Sequence, residues 1–378
     1  MEKAKVYFTD MHAKTGNSLL DKLDRLCRQA GIEQIDFKDK LVAIKIHFGE
    51  PGNLAYLRAN YARVVCDLVK ELGGKPFLTD CNTLYVGGRT NAVDHLNAAY
   101  KNGFNPLALG EGVQCIIADG LKGRDERLVP VEGGELVQFA RIGSALADAD
   151  IVISLTHFKG HVSTGFGGCL KNLGMGGGSR AGKLAMHNEG TPDVHEDLCI
   201  GCGLCVKNCA NNGIKVVDGK AQIQSDCVGC GYCMTVCPRD AINTNFSHSS
   251  EPLCKKIAEY TKAVVDGKPA FHISLVMDIS PFCDCEGYND VPITPDVGMF
   301  ASFDPVALDQ ACYEAVLRQP VFEGSRLAKA AEKNHCDCCG DGSIDYFKLM
   351  RPNSEADAGL THAEKLGLGT REYELVTL

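Results

Sequence analysis

Apolar and polar positions along the 378-residue chain fall into two kinds of run. Short, mostly apolar runs, of the kind a strand buried on both faces produces, stand at Val6-Tyr7-Phe8, Leu41 to His47, Pro76 to Thr79, Val113 to Ala118, Ile151 to Leu155, Phe271 to Ile279 and Val297 to Phe300. Between them the apolar positions recur with helical spacing. Leu19, Leu20, Leu23, Leu26 and Cys27 follow a cap at Asn17 and precede Gly31, and Leu57, Tyr61, Val64, Val65 and Leu68 mark a helix from Tyr56 to Leu72 that Gly73-Gly74 stops. Further helices are predicted over Asn91 to Tyr100, over Leu253 to Val265, and from Asp304-Pro305, a cap followed by proline at the first helical position. Ser144 to Ala147 is at most one turn capped by Ser144, Ser325 to Ala331 a short helix, and Tyr373 to Leu378 an edge strand. Strands and helices that alternate through short links predict an α/β fold whose large domain carries a mostly parallel sheet.

Polar residues gather where these strands end. Lys45, His47 and Glu50 close one strand, Asp80 and Asn82 the next, and His157, Lys159 and His161 follow a third. Ligands of parallel sheets bind at such carboxyl ends. The stretch 160–183 adds nine glycines interspersed with Lys171, Asn172, Arg180 and Lys183, and reads as a loop whose backbone and cations cradle an anion. Gly177 to Lys183 looks like a P-loop, but Leu184 stands where a Ser or Thr would hold magnesium. No intact G-x-G-x-x-G follows the preceding strand, so neither a nucleotide motor nor a standard dinucleotide site is expected. The expected site has His157, His161 and Lys171 as catalytic groups, with Lys45, His47, Asn82, Asn172 and Lys183 binding a small anionic substrate. Histidine with an ordinary pKa suits proton delivery, and Lys171 with glycine-loop amides suits charge that builds on a substrate.

The densest chemistry lies in two cysteine runs. Cys199, Cys202, Cys205 and Cys209 repeat as Cys227, Cys230, Cys233 and Cys237 at an offset of 28 residues. Each is C-x2-C-x2-C-x3-C, the spacing of bacterial ferredoxins, in which the fourth cysteine of each run serves the other cluster. Glycines 201, 203, 229 and 231 permit the tight turns this wrapping needs. Cys199, Cys202, Cys205 and Cys237 are therefore expected to hold one 4Fe–4S cluster, and Cys227, Cys230, Cys233 and Cys209 a second. Two zinc knuckles would leave the third and fourth cysteine of each run without a role. Between the runs, Ile214 to Val217 and Lys220 to Ile223 flank Asp218-Gly219, a hairpin with a type I′ turn.

Of the other cysteines, Cys27, Cys66, Cys115 and Cys312 sit in apolar surroundings and read as core, and Cys169 as a small packing residue. Cys283 and Cys285, with Cys336, Cys338 and Cys339, form two tight groups suited to a third metal or to redox thiols.

Composition narrows the partners. A net charge of −9 and no basic run argue against nucleic acid, and no apolar run reaches membrane length. The N-terminal Met1 to Lys5 leads into a strand without a signal-peptide core. Twenty cysteines then imply a reducing cytoplasm, and exposed clusters a niche with little oxygen.

Lys45-Ile-His47-Phe-Gly-Glu50, Thr79-Asp-Cys-Asn82, Leu155-Thr-His157-Phe-Lys-Gly-His161, Lys171-Asn172-Leu-Gly-Met-Gly176 and Asp296-Val-Gly298 through Asp304-Pro-Val-Ala-Leu-Asp309 resemble the iron–sulfur centre proteins of domain of unknown function 362. The resemblance covers nearly the whole chain. It implies one large α/β domain, residues 1–190 and 247–378, with a small α+β ferredoxin-type 4Fe–4S domain inserted at 191–246, and it leaves the chemistry open. Three classes of function fit: an oxidoreductase exchanging electrons with a small anionic substrate, an electron-transfer or cluster-handling protein whose only partner is another redox protein, and a non-redox enzyme with structural clusters.

Overall fold

Strand Ile151–His157 is buried at every position and lies inside an eight-stranded sheet. The computed structural model describes residues 3–187, 191–244, 250–336 and 340–378. The strand order is Tyr373–Thr377, Ala4–Asp10, Gly298–Ser302, Ala270–Val276, Ile151–His157, Leu41–Lys45, Lys75–Asp80 and Gln114–Ile117. Gly298–Ser302 runs against both neighbours, and the remaining pairings of this sheet are parallel. The expected α/β class with a mostly parallel sheet is thus the observed one.

The mostly apolar runs arise because both faces of the sheet are covered. Ile151, Ile153 and Leu155 point into a core shared with helices Leu19–Gln29 and Ala59–Glu71, whereas Val152 points into the opposite core. That second core is roofed by helices Ser250–Val265 and Pro305–Leu317. Helix Leu19–Gln29 is capped one residue later than expected. Ser18, not Asn17, takes the capping position, because its hydroxyl and the Asp21 carboxylate satisfy each other's backbone N–H groups. Asp304 caps Pro305–Leu317 as expected, accepting from the N–H groups of Val306 and Ala307.

The glycine-rich stretch departs from its expected loop. It folds as two paired strands, Lys159–His161 and Gly165–Gly167, then helices Cys169–Gly177 and Arg180–His187. Glycine costs about 1 kcal/mol against alanine inside a helix, so the sequence argues against one here. Packing overrides that penalty. A Cβ at Gly174 would stand 2.2 Å from the Ile257 carbonyl oxygen of helix Ser250–Val265, and one at Gly177 2.7 Å from Leu146 Cδ2. The Asp309 carboxylate fixes the start of Cys169–Gly177, accepting from Cys169 N at 2.6 Å and Leu170 N at 2.9 Å.

Residues 191–244 form a small unit. Asp193–Val194 pairs with Ile242–Asn243, and Ile214–Val217 with Lys220–Ile223 through Asp218 and Gly219, both at positive φ as a type I′ turn requires. Its apolar cluster joins Cys205, Ile214, Ala221, Met234 and Ile242 to Leu84 and Leu184 of the larger part. The boundaries expected at 190 and 246 lie outside the described residues, as do Cys338 and Cys339. No helix among the described residues is long and apolar enough to cross a membrane.

Candidate functional site

A cavity opens where the parallel strands end. Lys45 is the last residue of Leu41–Lys45 and Asp80 the last of Lys75–Asp80, which carries both side chains to the carboxyl edge of the sheet. Lys45 Nζ lies 3.0 Å from Asp80 Oδ1 and 3.0 Å from Asn172 Oδ1. Asn172, on helix Cys169–Gly177, also donates from Nδ2 to Lys45 O and Thr156 Oγ1, each at 3.0 Å, and so ties that helix to two strand ends. Gly176 leaves the room this requires, since a Cβ there would fall 2.5 Å from Lys45 Nζ.

The cavity is cationic. Arg89 is buried and shared between Glu50, at 2.7 Å, and Asp80, at 3.6 Å. Lys183 Nζ has carbonyl oxygens as partners, Gly178 O at 2.6 Å and Gly176 O at 3.5 Å, and Lys171 Nζ stands 3.5 Å from Cys283 Sγ. Burial works against ionisation of Asp80, yet Lys45, His47, His95 and Arg89 together hold its carboxyl below the usual carboxylate range. Burial, reinforced by Arg89, pushes His47 down to about 3. Burial and the Lys171 ammonium push His161 down to about 4. Near neutral pH Arg89 and Lys171 therefore carry charge and these two rings are neutral, while burial pushes the Lys45 ammonium down against the pull of Asp80. For His161 this corrects the expected role of a ring titrating near neutrality: its surroundings penalise the second proton.

Six of the expected residues, Lys45, His47, His161, Lys171, Asn172 and Lys183, line this one cavity. His157 and Asn82 do not. Asn82 donates to Asp119 Oδ1 at 2.8 Å and Gly120 O at 2.9 Å, tying together the segments after two adjacent strands. His157 is buried behind the cavity, with Nδ1 2.8 Å from Asp284 Oδ1 and Nε2 2.8 Å from Met277 O. It is a positioning residue. Asp284 is the middle of Cys283-Asp284-Cys285, a turn closed by Glu286 N–H on Cys283 O at 3.0 Å, and Lys159 Nζ holds the same carboxylate at 3.1 Å. Tyr85 and Arg89 also line the cavity, from a loop whose sequence has no periodic signal.

Cys283 and Cys285 converge on His161. Among the described residues these three form the one group whose donor atoms all lie within 4.8 Å of one another, close enough for a single metal ion. Cys336 is not part of it.

Two smaller cavities belong to residues 191–244. Cys199, Cys202, Cys205 and Cys237 line one, and Cys209, Cys227, Cys230 and Cys233 line the other. In both, a backbone N–H four residues beyond a fourth-position cysteine donates to its sulfur at 3.2 Å: Gly213 to Cys209 and Ala241 to Cys237. Four thiols around a pocket, with amides aimed at sulfur, fit a cysteine-ligated group. The second cavity abuts the large one. A Cβ at Gly231 would meet Leu84 Cδ1 at 2.8 Å, and Leu84 and Tyr85 line the large cavity.

Fold and site together define an α/β protein with a cationic crevice at its strand ends and a cysteine-rich unit against it. The chain belongs to the family described as Domain of unknown function (DUF362), which matches residues 42–314. No curated protein matches it. Among solved structures it is similar to the lactate racemase apoprotein from Thermoanaerobacterium thermosaccharolyticum, at 13% identity over 72% of this chain and 51% of that one, with a TM-score of 0.33. It is also similar to a Thermotoga maritima protein solved by the Northeast Structural Genomics Consortium, at 13% identity over 79% of this chain and 58% of that one, with a TM-score of 0.38. The chain thus spans only about half the length of either.

Proposed function

We propose that this protein is an iron–sulfur oxidoreductase in which an inserted ferredoxin-type domain, residues 191–246, exchanges electrons with a small anionic substrate held at the strand ends. Each 4Fe–4S cluster would supply one electron at a time. Cys199, Cys202, Cys205 and Cys237 would hold one, and Cys209, Cys227, Cys230 and Cys233 the other. The observation that carries the reading is the contact of Gly231, beside Cys230 and Cys233, with Leu84 in the wall of the cationic cavity. Lys45, Lys171 and Lys183 would bind the anionic group, while Asn172 and His157 keep the frame in place. A single ion at His161, Cys283 and Cys285 is a second reading of that corner, favoured by its donor spacing.

The test is anaerobic reconstitution followed by iron and sulfide analysis and electron paramagnetic resonance. About eight of each per chain are expected for two such clusters. Cys202→Ala and Cys230→Ala should each remove a different half of the signal, and loss of the same half in both would refute the ligand sets. Reduced protein reoxidised by small anions supports the oxidoreductase; reoxidation by protein partners alone supports plain electron transfer.

A further inference from the structure

The Cys283–Cys285 turn carries more than the proposed electron route uses. Cys285 lines the large cavity, and Cys283 lies behind it, 1% exposed. The two sulfurs are within 4.8 Å of each other, brought round by the turn that Glu286 N–H closes. The Lys171 ammonium stands 3.5 Å from Cys283 Sγ, a geometry that stabilises a thiolate there.

His161 decides between a metal and a thiol role. Its Nδ1 receives the backbone N–H groups of Ser163, at 3.2 Å, and Thr164, at 3.1 Å, and lies 2.9 Å from Thr164 Oγ1, whose proton goes to Phe166 O at 2.7 Å; two amide hydrogens against one hydroxyl oxygen make Nδ1 an acceptor. A neutral imidazole that accepts at Nδ1 carries its proton on Nε2, the nitrogen left to face the sulfurs. A histidine holding a metal through Nε2 needs the opposite arrangement, with Nδ1–H pointing at an acceptor. Two amide donors occupy that direction here. The ring is therefore set to donate to a thiolate, and the ion is disfavoured although the donors are close.

We propose that Cys283 and Cys285 are a redox-active dithiol that reduces a small anionic disulfide bound in the cavity. This rests on the cavity being the anion site; it does not need the clusters. Cys285 passes its proton to the Cys283 thiolate and attacks one sulfur of the disulfide. The disulfide's S–S bond breaks, one substrate thiolate leaves, and the other half stays bonded to Cys285. Cys283 then attacks Cys285 Sγ, forming the Cys283–Cys285 bond and expelling the second half, which departs with the Cys283 proton. Two electrons pass from the cysteine pair to the substrate. A one-electron donor of the ferredoxin class, acting twice with uptake of one proton, restores the thiol–thiolate pair.

The experiment treats the anaerobic, cluster-loaded protein with 3,3′-dithiodipropionate and maps its cysteine peptides by mass. Wild-type protein should gain a Cys283–Cys285 bond and release both halves of the probe as thiol, with iron content unchanged. Cys283→Ser should trap a mercaptopropionate adduct on Cys285. The uncharged hydroxyethyl disulfide should react about tenfold more slowly, the worth of one lost charged contact. Wild-type protein that forms no Cys283–Cys285 bond would overturn the proposal, as would a non-iron metal present at one per chain and lost in Cys285→Ser. Equal rates for the two probes would overturn the anionic substrate class. Full thiol chemistry in protein that takes up no iron on anaerobic reconstitution would instead sink the cluster reading alone, so the two failures are distinguishable.

Discussion

His157 and Asp284 are 127 residues apart in the chain and 2.8 Å apart in the fold, both buried. The pair joins the end of a central strand to the turn that presents two cysteines to the cavity. Because the His157 ring is also held by Met277 O, the turn inherits the rigidity of the sheet. Replacing His157 with alanine leaves a buried carboxylate to Lys159. Unfolding free energy should fall by about 3 kcal/mol, as for other broken buried pairs, and iodoacetamide should label Cys283 faster. A variant with wild-type stability and labelling would show that the turn is held by something else.

Two glycines of helix Cys169–Gly177 should respond differently to alanine. At Gly174 the new methyl meets the backbone oxygen of Ile257, which cannot move without separating two helices. Gly174→Ala should cost about 2 kcal/mol in denaturant titration. At Gly176 the methyl meets the end of the flexible Lys45 side chain. Gly176→Ala should keep the fold, where alanine itself favours helix, but displace Lys45 and weaken pyrophosphate binding about tenfold, equivalent to one charged hydrogen bond. Calorimetry showing unchanged pyrophosphate binding would count against Lys45 as an anion-binding group.

Asp309 predicts a pH dependence. Burial pushes its carboxyl up to about 7 from 3.8, against the pull of the two backbone donors at Leu170 and Cys169. A raised carboxyl binds more protons in the folded than in the unfolded chain between those values. Its contribution to stability is therefore complete below about pH 4 and is lost as pH rises to about 7. Asp309→Asn should flatten that part of the melting-temperature profile. It should also lower the melting temperature at acidic pH, since an amide offers one oxygen to two donors. Identical slopes in both proteins would remove Asp309 as the cause.

If residues 191–246 are an insertion, replacing them with a short Gly/Ser linker should leave a folded α/β remainder by circular dichroism. Leu84 and Leu184 would lose their apolar cover, so the remainder should bind a hydrophobic dye more strongly than the full chain. A remainder without cooperative melting would make the cysteine unit part of the main core.

Strands such as Leu41–Lys45 and Ile151–His157 were legible because burial on both faces leaves a mostly apolar run. The Asp304-Pro305 start and the Asp218-Gly219 turn were legible because local backbone chemistry specifies them. Strand ends gave away Lys45 and His161 for the same reason: topology alone brings them to the crevice. Helix Cys169–Gly177 was hidden, since glycine reads as loop until the helix packed against it is known. His157 stands beside the cavity without lining it, and its partner Asp284 belongs to a distant segment that no local pattern links to it.

The sheet order also bears on how the chain is made. Strand Ala4–Asp10 leaves the ribosome well before its two neighbours, Gly298–Ser302 and Tyr373–Thr377. At ordinary rates of synthesis its partners follow on the order of 15 to 60 seconds later. Throughout that interval both edges of the strand are open for pairing with other chains. Nascent chains of this protein should depend on a holding chaperone that covers this strand until both of its partners arrive.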